Sequence, residues 1–197
     1  MSGASRLERW TDVIADTEAT ATEYRERNWT AIAVHPGDVN PIIDESRVDV
    51  LLPGSTFDDV RSETADATVD TVRVYAADEA HVRYRLVVAE DPERSLAICV
   101  PTFLSRSDLV QLRGAVGDDP ITVRLRPLDD RDVVDITVTD PTLFFAPDES
   151  HYRLYAWADT PPLQHFDALL CMRSRVSVST AQRRPPSSRR RSPCCGC

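Results

Sequence analysis

The chain has 197 residues, and its 23 basic residues are all arginine, set against 32 acids of which 22 are aspartate, for a net charge of −9. A chain of this length buries about 70% of its unfolded surface on folding, so neither a metal nor disulfides are needed for stability. The first residues lack the apolar stretch of a secretory signal, and the apolar runs are too short to span a bilayer, so we expect a cytoplasmic protein without membrane contact.

The first half of the chain predicts one helix, two strands and a second helix. Residues 5–29 form a long helix, because apolar residues recur at helical spacing along one stripe. That stripe consists of Trp10, Val13, Ile14, Thr17, Ala21 and Tyr24. Strands follow at residues 29–39 and 47–54, and residues 55–67 predict a short helix capped by Ser55 or Thr56.

The second half of the chain predicts mainly strands. Residues 69–78, 81–90 and 95–104 alternate or run apolar between polar turns, and residues 105–116 form a helix capped by Ser105 or Ser107. A hairpin at residues 121–128 and 133–140 precedes a helical turn at 140–145 and a strand at 151–162. This order favours the α+β class, as a single layer of mostly antiparallel sheet with helices packed on one face, plus a disordered C-terminal tail.

The composition changes after residue 170. Residues 1–170 hold 16 arginines against all 32 acids, a net charge of −16, whereas residues 171–197 carry seven arginines and no acid. We predict an acidic α+β domain over residues 1–158 and a linker or unassigned segment at 159–170. Residues 171–197 then form a disordered Arg/Ser/Pro/Cys-rich tail, either genuine or a frameshifted or artificial end.

Three functional interpretations of the tail compete with that prediction. The thiols of Cys171, Cys194, Cys195 and Cys197 suit zinc, but they lack the usual two spaced pairs. The arginine runs suit nucleic acid but include no aromatic residue for stacking. The terminal CGC is similar to the prenylated end of some membrane-trafficking GTPases, but the phosphate loop of a GTPase is missing. We therefore expect no metal, no cofactor, no nucleic-acid binding and no membrane anchor.

The balance of residue types in the body suits concentrated salt. Lysine is absent and aspartate exceeds glutamate; hydrated carboxylates keep a protein soluble there, and salt screens their repulsion. GC-rich codon usage explains the arginines but less readily the acids. The stretches HPGDV at residues 35–39 and DPTLFF at 140–145 resemble a haloarchaeal family built on a domain of unknown function. The resemblance covers about residues 7–157, implies a halophilic, cytoplasmic origin, and brings no catalytic residues with it.

His35 and Asp38 are the candidate catalytic residues. They follow a predicted strand, where loops often carry function, and the aspartate could orient the histidine as a general base. In the alternative interpretation the intervening Pro-Gly pair makes a turn, and Asp38 bonds nearby backbone amides. No nucleophile motif accompanies them, and Cys99, in an apolar run, is expected in the core.

Arginines on three predicted strands are the candidate ligand-binding residues: Arg73, Arg83, Arg85, Arg124 and Arg126. Alternation points apolar neighbours such as Tyr84 inward and these arginines outward. If the strands are neighbours, a cationic stripe crosses one sheet face and can hold an anion through bidentate contacts. Otherwise the arginines pair with nearby acids.

These patterns favour a non-enzymatic module that binds a protein partner or a small anionic ligand through its Arg-bearing strands. The alternative is a His-dependent or metal-assisted hydrolase that uses His35 and nearby carboxylates.

Overall fold

The computed structural model describes residues 3–79, 81–129, 132–145 and 178–182. The helices are α1 (Gly3–Glu26), α2 (Gly54–Thr64), α3 (Arg106–Val116) and α4 (Thr142–Phe145). The first strands are β1 (Thr30–Ala33), β2 (Asp38–Ile42), β3 (Arg47–Leu51), β4 (Thr71–Glu79) and β5 (Val82–Asp91). They are followed by β6 (Leu96–Ser105), β7 (Ile121–Arg126), β8 (Asp132–Val138) and β9 (Val178–Gln182). A 3-10 turn, Ile43–Glu45, joins β2 to β3.

The strands form two mixed sheets. The four-stranded sheet has the order β1-β6-β5-β4, with β1 parallel to β6 and the other pairs antiparallel. The five-stranded sheet has the order β2-β3-β7-β8-β9, with only the β3–β7 pair parallel among its described strands. The predicted α+β class is confirmed. The predicted single layer is corrected to two sheets.

One apolar core lies between the two sheets. Val87 and Ile98 of the four-stranded sheet belong to the same buried cluster as Val50, Val123 and Ile136 of the five-stranded sheet. Three helices also contribute buried residues to this cluster: Phe57 and Val60 of α2, Leu112 and Val116 of α3, and Phe144 and Phe145 of α4. Those three helices therefore pack into the core that the sheets share.

Helix α1 covers the other face of the four-stranded sheet. Its Ala21 lies in a second buried cluster with Leu86 and Cys99, and the Trp10 ring meets Phe103 edge-on with 5.0 Å between ring centroids. Strands β5 and β6 are consequently buried along almost their whole length. Near-continuous apolar runs of this kind are typical of strands covered on both faces, which is the physical reason that one exposed layer was the wrong expectation.

Local sequence signals set the position of α1 and α3. The predicted stripe of α1 is confirmed, because Val13, Thr17 and Ala21 are buried. Helix α3 begins after Ser105, whose hydroxyl oxygen accepts a hydrogen bond from the Asp108 amide at 3.0 Å. It ends at Gly117, whose φ of 58° is a backbone conformation that favours glycine.

Strands β2 and β9 depart from the sequence expectations. Strand β2 was not predicted; it is short, contains Pro41, and pairs with β3. Strand β9 lies within the tail predicted to be disordered, and pairs antiparallel with β8 from Ile136–Val178 to Asp132–Gln182. Pairing with a sheet edge uses main-chain bonds, so an uncharged segment needs no large apolar side chain to join it. The rest of residues 171–197, the predicted linker at 159–170 and the predicted strand at 151–162 lie outside the described residues.

Candidate functional site

Charged residues stand in register across the outer face of the five-stranded sheet. Asp49 of β3 pairs with Arg124 of β7, which in turn pairs with Asp135 of β8. All three alternate along their strands with residues of the core, so their side chains lie on the face turned away from it. The helices α2, α3 and α4 place their buried residues in the core between the sheets, and α1 packs on the other sheet.

Arg124 and Asp135 form a two-point ion pair across neighbouring strands. Arg124 Nε donates to Asp135 Oδ1 at 2.7 Å, and Nη2 donates to Oδ2 at 2.8 Å. This hydrogen bonding raises the pKa of Arg124 above its ordinary value. The side chains are 24% and 17% exposed, so the pair holds the guanidinium in one orientation on a partly dry surface.

Asp49 forms ion pairs with an arginine of its own strand and with one of β7. Arg47 Nε donates to Asp49 Oδ1 at 2.5 Å, and Arg126 Nε lies 3.2 Å from Asp49 Oδ2. Arg47 also donates to Glu45. We call this patch the ion-pair face, consisting of Glu45, Arg47, Asp49, Arg124, Arg126 and Asp135. Three arginines meet three acids, so the ion-pair face carries no net charge.

Arg73 lies on the other sheet, on the face that α1 covers. Its Nε is 3.0 Å from Glu90 Oε1, and the Tyr24 hydroxyl donates to the same Glu90 carboxylate. The Glu90 side chain is only 4% exposed. Burial, with the Glu90 bond adding to it, raises the pKa of Tyr24. Arg73 thus neutralises a buried carboxylate beneath the helix.

Arg83 and Arg85 are interior residues. Alternation along β5 puts them on the side of Val87, which faces the core between the sheets. Arg85 is 1% exposed; its Nε donates to the Phe144 carbonyl at 2.9 Å, and Nη1 donates to the Tyr84 carbonyl at 2.8 Å. The expectation that both arginines point outward is wrong, because both faces of β5 are covered; Tyr84, expected to point inward, is buried beneath α1.

The five arginines singled out in the sequence do not share one face. Arg124 and Arg126 belong to the ion-pair face, Arg73 lies under α1, and Arg83 and Arg85 lie between the sheets. The expected cationic stripe required β4, β5 and β7 to be neighbours, and β7 is in the other sheet. A ligand-binding role for any of these arginines stays a prediction.

His35 and Asp38 have separate partners. His35 Nε2 lies 3.0 Å from Glu18 Oε1 of α1, and its side chain is 51% exposed. Asp38 accepts from the Val39 amide at 2.9 Å and from the Asn40 side chain at 2.7 Å. Asp38 thus makes the local turn contacts of the alternative interpretation, and the acid beside His35 comes from α1. A catalytic role for His35 stays a prediction.

An open depression of about 600 Å³ lies at the start of α3. Its lining brings together two groups that can carry positive charge, two hydroxyls and an amide: His81, Ser105, Arg106, Ser107 and Gln111, beside the exposed Val110. The Ser105 hydroxyl is already engaged with Asp108, as acceptor from its amide and as donor to its carboxylate at 2.6 Å. The Ser107 hydroxyl also bonds Ser105 Oγ, and the Gln111 side chain donates to the Ser107 carbonyl. Arg106 and His81 are therefore the groups most available to an anionic ligand there.

Most of the chain matches the model of one protein family. The match spans residues 2–146, and the family is DUF7529, a family of unknown function. The chain belongs to DUF7529. No curated protein and no solved structure matches the chain. The resemblance to an uncharacterised domain is thereby confirmed, with its end at residue 146.

The DUF7529 domain contains the whole ion-pair face, whereas β9 lies beyond it. Among the described residues, no three His, Cys, Asp or Glu side chains are grouped to hold a metal ion. None of the helices in that part of the chain is long and apolar enough to cross a membrane. Burial raises the pKa of the Cys99 thiol to about 12, so this predicted core residue is a poor nucleophile.

Sequence reasoning found two of the three arginines of the ion-pair face and missed Arg47 and the acids. The missed signal was present in the pattern of the DUF7529 domain. Acids and arginines alternate with aliphatic residues in the segments RVDV, VRLR and VVDI, which is the pattern of opposite charges facing one another across strands. Only the order and register of the strands decide which acid meets which arginine.

Proposed function

We propose that this DUF7529 domain is a non-enzymatic module that binds a protein partner through the ion-pair face, in the salt-rich cytoplasm of a halophilic archaeon. The observation that carries the proposal is local charge neutrality. The ion-pair face balances three arginines against three acids, while residues 1–170 as a whole carry a net charge of −16. A surface whose charges cancel repels another acidic protein less than a surface of net negative charge does.

The physical argument concerns distance. Salt screens charges that are separated by more than about 8–10 Å at moderate ionic strength, but contacting surfaces bring charges closer than that. Like charges juxtaposed in an interface cost affinity and exclude a partner, whereas complementary or neutral surfaces permit contact. The two-point Arg124–Asp135 pair also holds its side chains before binding, which reduces the ordering entropy that association costs.

Composition supports the halophilic and cytoplasmic parts of the proposal. The absence of lysine, the excess of aspartate and the overall acid excess suit a protein that stays hydrated in molar salt. In such salt, exposed ion pairs contribute little to stability, so an ordered network on an outer sheet face favours a role in recognition.

The test compares two neutral double variants. Arg124→Thr/Asp135→Thr removes the central pair with residues that suit strands, and Arg9→Ala/Asp12→Ala removes an exposed pair of α1 whose atoms are 3.7 Å apart. Both are used as bait in molar KCl with isotope-labelled quantification of captured proteins. We expect wild type and the α1 variant to capture the same partner protein, and the strand variant not to capture it. Equal capture by all three baits, with folding verified by circular dichroism, contradicts the proposal.

A small anionic ligand in the depression at α3 is the second candidate. The observation that favours it is the pair of Arg106 and His81 beside hydroxyl and amide groups. Isothermal titration with citrate and with inorganic phosphate tests it, in wild type and Arg106→Ser. Heat that saturates in the wild type and disappears in the variant supports this candidate, and identical titrations count against it.

A His-dependent hydrolase remains the alternative of a different class. Its support is the 3.0 Å contact between His35 and Glu18, which would orient the imidazole as a general base. His35→Ala and Glu18→Gln are the variants for a substrate screen with and without Mg²⁺. Turnover that both variants abolish while folding is intact would replace the binding proposal by this one.

A further inference from the structure

Strand β9 occupies the outer edge of β8 and comes from outside the family domain. The family match ends at residue 146, and 32 residues separate Phe145 from Val178. Five consecutive residue pairs join β9 to β8 in antiparallel register, from Ile136–Val178 to Asp132–Gln182. Within the DUF7529 domain as described, β8 is therefore an edge strand, and the strand that covers it is supplied from elsewhere.

Without β9, the part of this sheet that lies in the family domain has the order β2-β3-β7-β8, and its two edges differ in what they can accept. An uncovered edge strand presents a row of main-chain N–H and C=O groups to any strand that approaches. Strand β2, at one edge, contains Pro41, which has no N–H to donate. Strand β8, at the other, runs through seven residues without proline or glycine. The β8 edge is the one suited to taking up a further strand.

We propose that the outer edge of β8 is a docking site for an extended peptide of a protein partner, with an uncharged five-residue core followed by arginines, and that residues 178–182 occupy this site as an intramolecular competitor. The core chemistry is that of β9 itself, VSTAQ, and Arg183 and Arg184 follow it in the sequence. Because the pairing is antiparallel, the chain leaves β9 beside Asp132, at the acidic start of β8. Arginines that follow a docked strand would therefore lie near Asp132, whose carboxylate also bonds Arg61 of α2.

The site is distinct from the ion-pair face. Docking at the edge uses the main chain of β8, whereas the ion-pair face uses side chains of β3, β7 and β8 that project from the sheet. The two proposals can fail separately. The edge also belongs to the family domain, so the proposal does not depend on the origin of the tail that fills it here.

Competition with β9 lowers the apparent affinity of the β8 edge for a partner peptide. A segment of the same chain acts at an effective concentration on the order of millimolar, so β9 keeps the edge mostly filled. A peptide in solution then binds with an affinity reduced by the fraction of molecules whose edge is open. Preventing β9 from pairing must raise the affinity for the peptide, and this is the quantity to measure.

The experiment uses the full chain and a fluorescent peptide of residues 176–184, VSVSTAQRR. Ser179→Pro/Ala181→Pro removes two N–H groups from β9 and prevents regular pairing without changing the domain. Fluorescence anisotropy should show at least about tenfold tighter binding of the peptide to this variant than to wild type, as expected for removal of a tethered competitor. Ser179→Ala/Ala181→Ser is the matched control and should bind as wild type does.

Two altered peptides identify the recognised chemistry. A peptide with proline in place of both Ser179 and Ala181 should not bind, because it lacks the two N–H groups that face β8 in this register. A peptide with serines in place of both arginines should bind more weakly in low salt and nearly equally in molar KCl. Equal affinity of the proline variant and the wild type for VSVSTAQRR, or equal binding of the proline-containing peptide, overturns the proposal.

Amide hydrogen exchange provides a second readout that does not depend on the label. In the wild type, the edge amides of β8 should be protected; in the proline variant they should exchange faster, and added peptide should restore the protection. A dimer that dissociates in the proline variant would mean that β9 is exchanged between two copies, which would overturn the intramolecular arrangement.

Discussion

Arg85 joins the end of the family domain to the middle of the four-stranded sheet. Its guanidinium is almost fully buried and donates to the carbonyls of Tyr84 and Phe144, the second of which lies in α4. A buried charge is tolerated when its donors are bonded, and the carbonyls in turn depend on those donors. The sequence stretch DPTLFF is therefore held by apolar packing of its phenylalanines and by one arginine beneath them.

Arg85→Met should lower the free energy of unfolding by about 2–4 kcal/mol. The methionine fills much of the volume but leaves the Phe144 carbonyl buried without this donor. Urea denaturation at fixed KCl measures the loss. Arg27→Met, at an exposed position near the end of α1, is the control for removal of one positive charge. A difference between the two variants below about 0.5 kcal/mol would contradict the assigned role.

Asp16 predicts a pH dependence of stability. Burial, with the neighbouring Asp12 carboxylate adding to it, raises the pKa of Asp16 from its ordinary 3.8 to about 6. Between these two pH values the folded protein binds more protons at this site than the unfolded chain does. The contribution of Asp16 to the free energy of unfolding therefore decreases as pH rises through this window and stays low above it.

Asp16→Asn removes that cost at neutral pH. We expect the variant to be more stable than wild type by about 1 kcal/mol at pH 7, a value reduced for the partial exposure of the side chain, and nearly equal at pH 4. Asp59→Asn, an exposed acid on α2, controls for the loss of one negative charge. If the difference in free energy of unfolding between Asp16→Asn and wild type is the same at every pH from 4 to 7, the raised pKa of Asp16 is contradicted.

Strand pairing brings opposite charges together on the ion-pair face. A double-mutant cycle of Arg124→Thr and Asp135→Thr should give a coupling energy of about 1 kcal/mol in low salt, because the two-point pair lies across adjacent strands. Molar KCl should reduce that energy to less than half. The same cycle on Arg9 and Asp12 of α1, which are 41% and 61% exposed, should give only about 0.3 kcal/mol. Equal coupling energies in the two cycles would contradict the geometry.

Local patterns predicted most elements but not their partners. The helical stripe of α1, the Ser105 cap of α3 and the helical turn at DPTLFF follow from residues close in sequence, and the structure has all three. Strand order depends on contacts that are distant in sequence, such as Thr30 beside Leu96 and Arg47 beside Thr122. Arg124 lies on an outer sheet face and Arg85 lies in the core, yet both alternate with apolar residues along their strands. The local sequence therefore does not show which of the two side chains is buried.

The acidic charge of the whole molecule, −9 in total and −16 over residues 1–170, predicts that its stability depends on salt. Residues 1–170 carry a net charge of −16, so self-repulsion opposes the compact state in dilute buffer. Raising KCl from low to molar concentration should raise the melting temperature by about 4–8 °C, which corresponds to about 2 kcal/mol of relieved repulsion. Scanning calorimetry at constant pH measures it. An unchanged or lower melting temperature in molar KCl would mean that the ion pairs outweigh the repulsion.

The candidate site is a property of the assembled molecule. The sequence is rich in acids, and the alternation of arginines along three predicted strands suggested a cationic stripe. In the assembled sheets, Asp49 and Asp135 flank Arg124 and cancel that charge. The neutral face could not be predicted, because it requires β3, β7 and β8 to be neighbours although they come from different parts of the chain.

Each sheet joins an early strand of the domain to strands that are synthesised much later, and this has a consequence for folding during synthesis. When β1, β2 and β3 leave the ribosome, only β2 and β3 can pair, because β1 needs β6 and β3 needs β7 on its other side. The four-stranded sheet cannot be completed until β6 has emerged at residue 105, and the five-stranded sheet also needs β7 and β8, which begin at residues 121 and 132. The nascent chain therefore exposes unpaired apolar strands until nearly the whole domain has been synthesised. Repulsion between the many carboxylates of neighbouring chains opposes aggregation during that time.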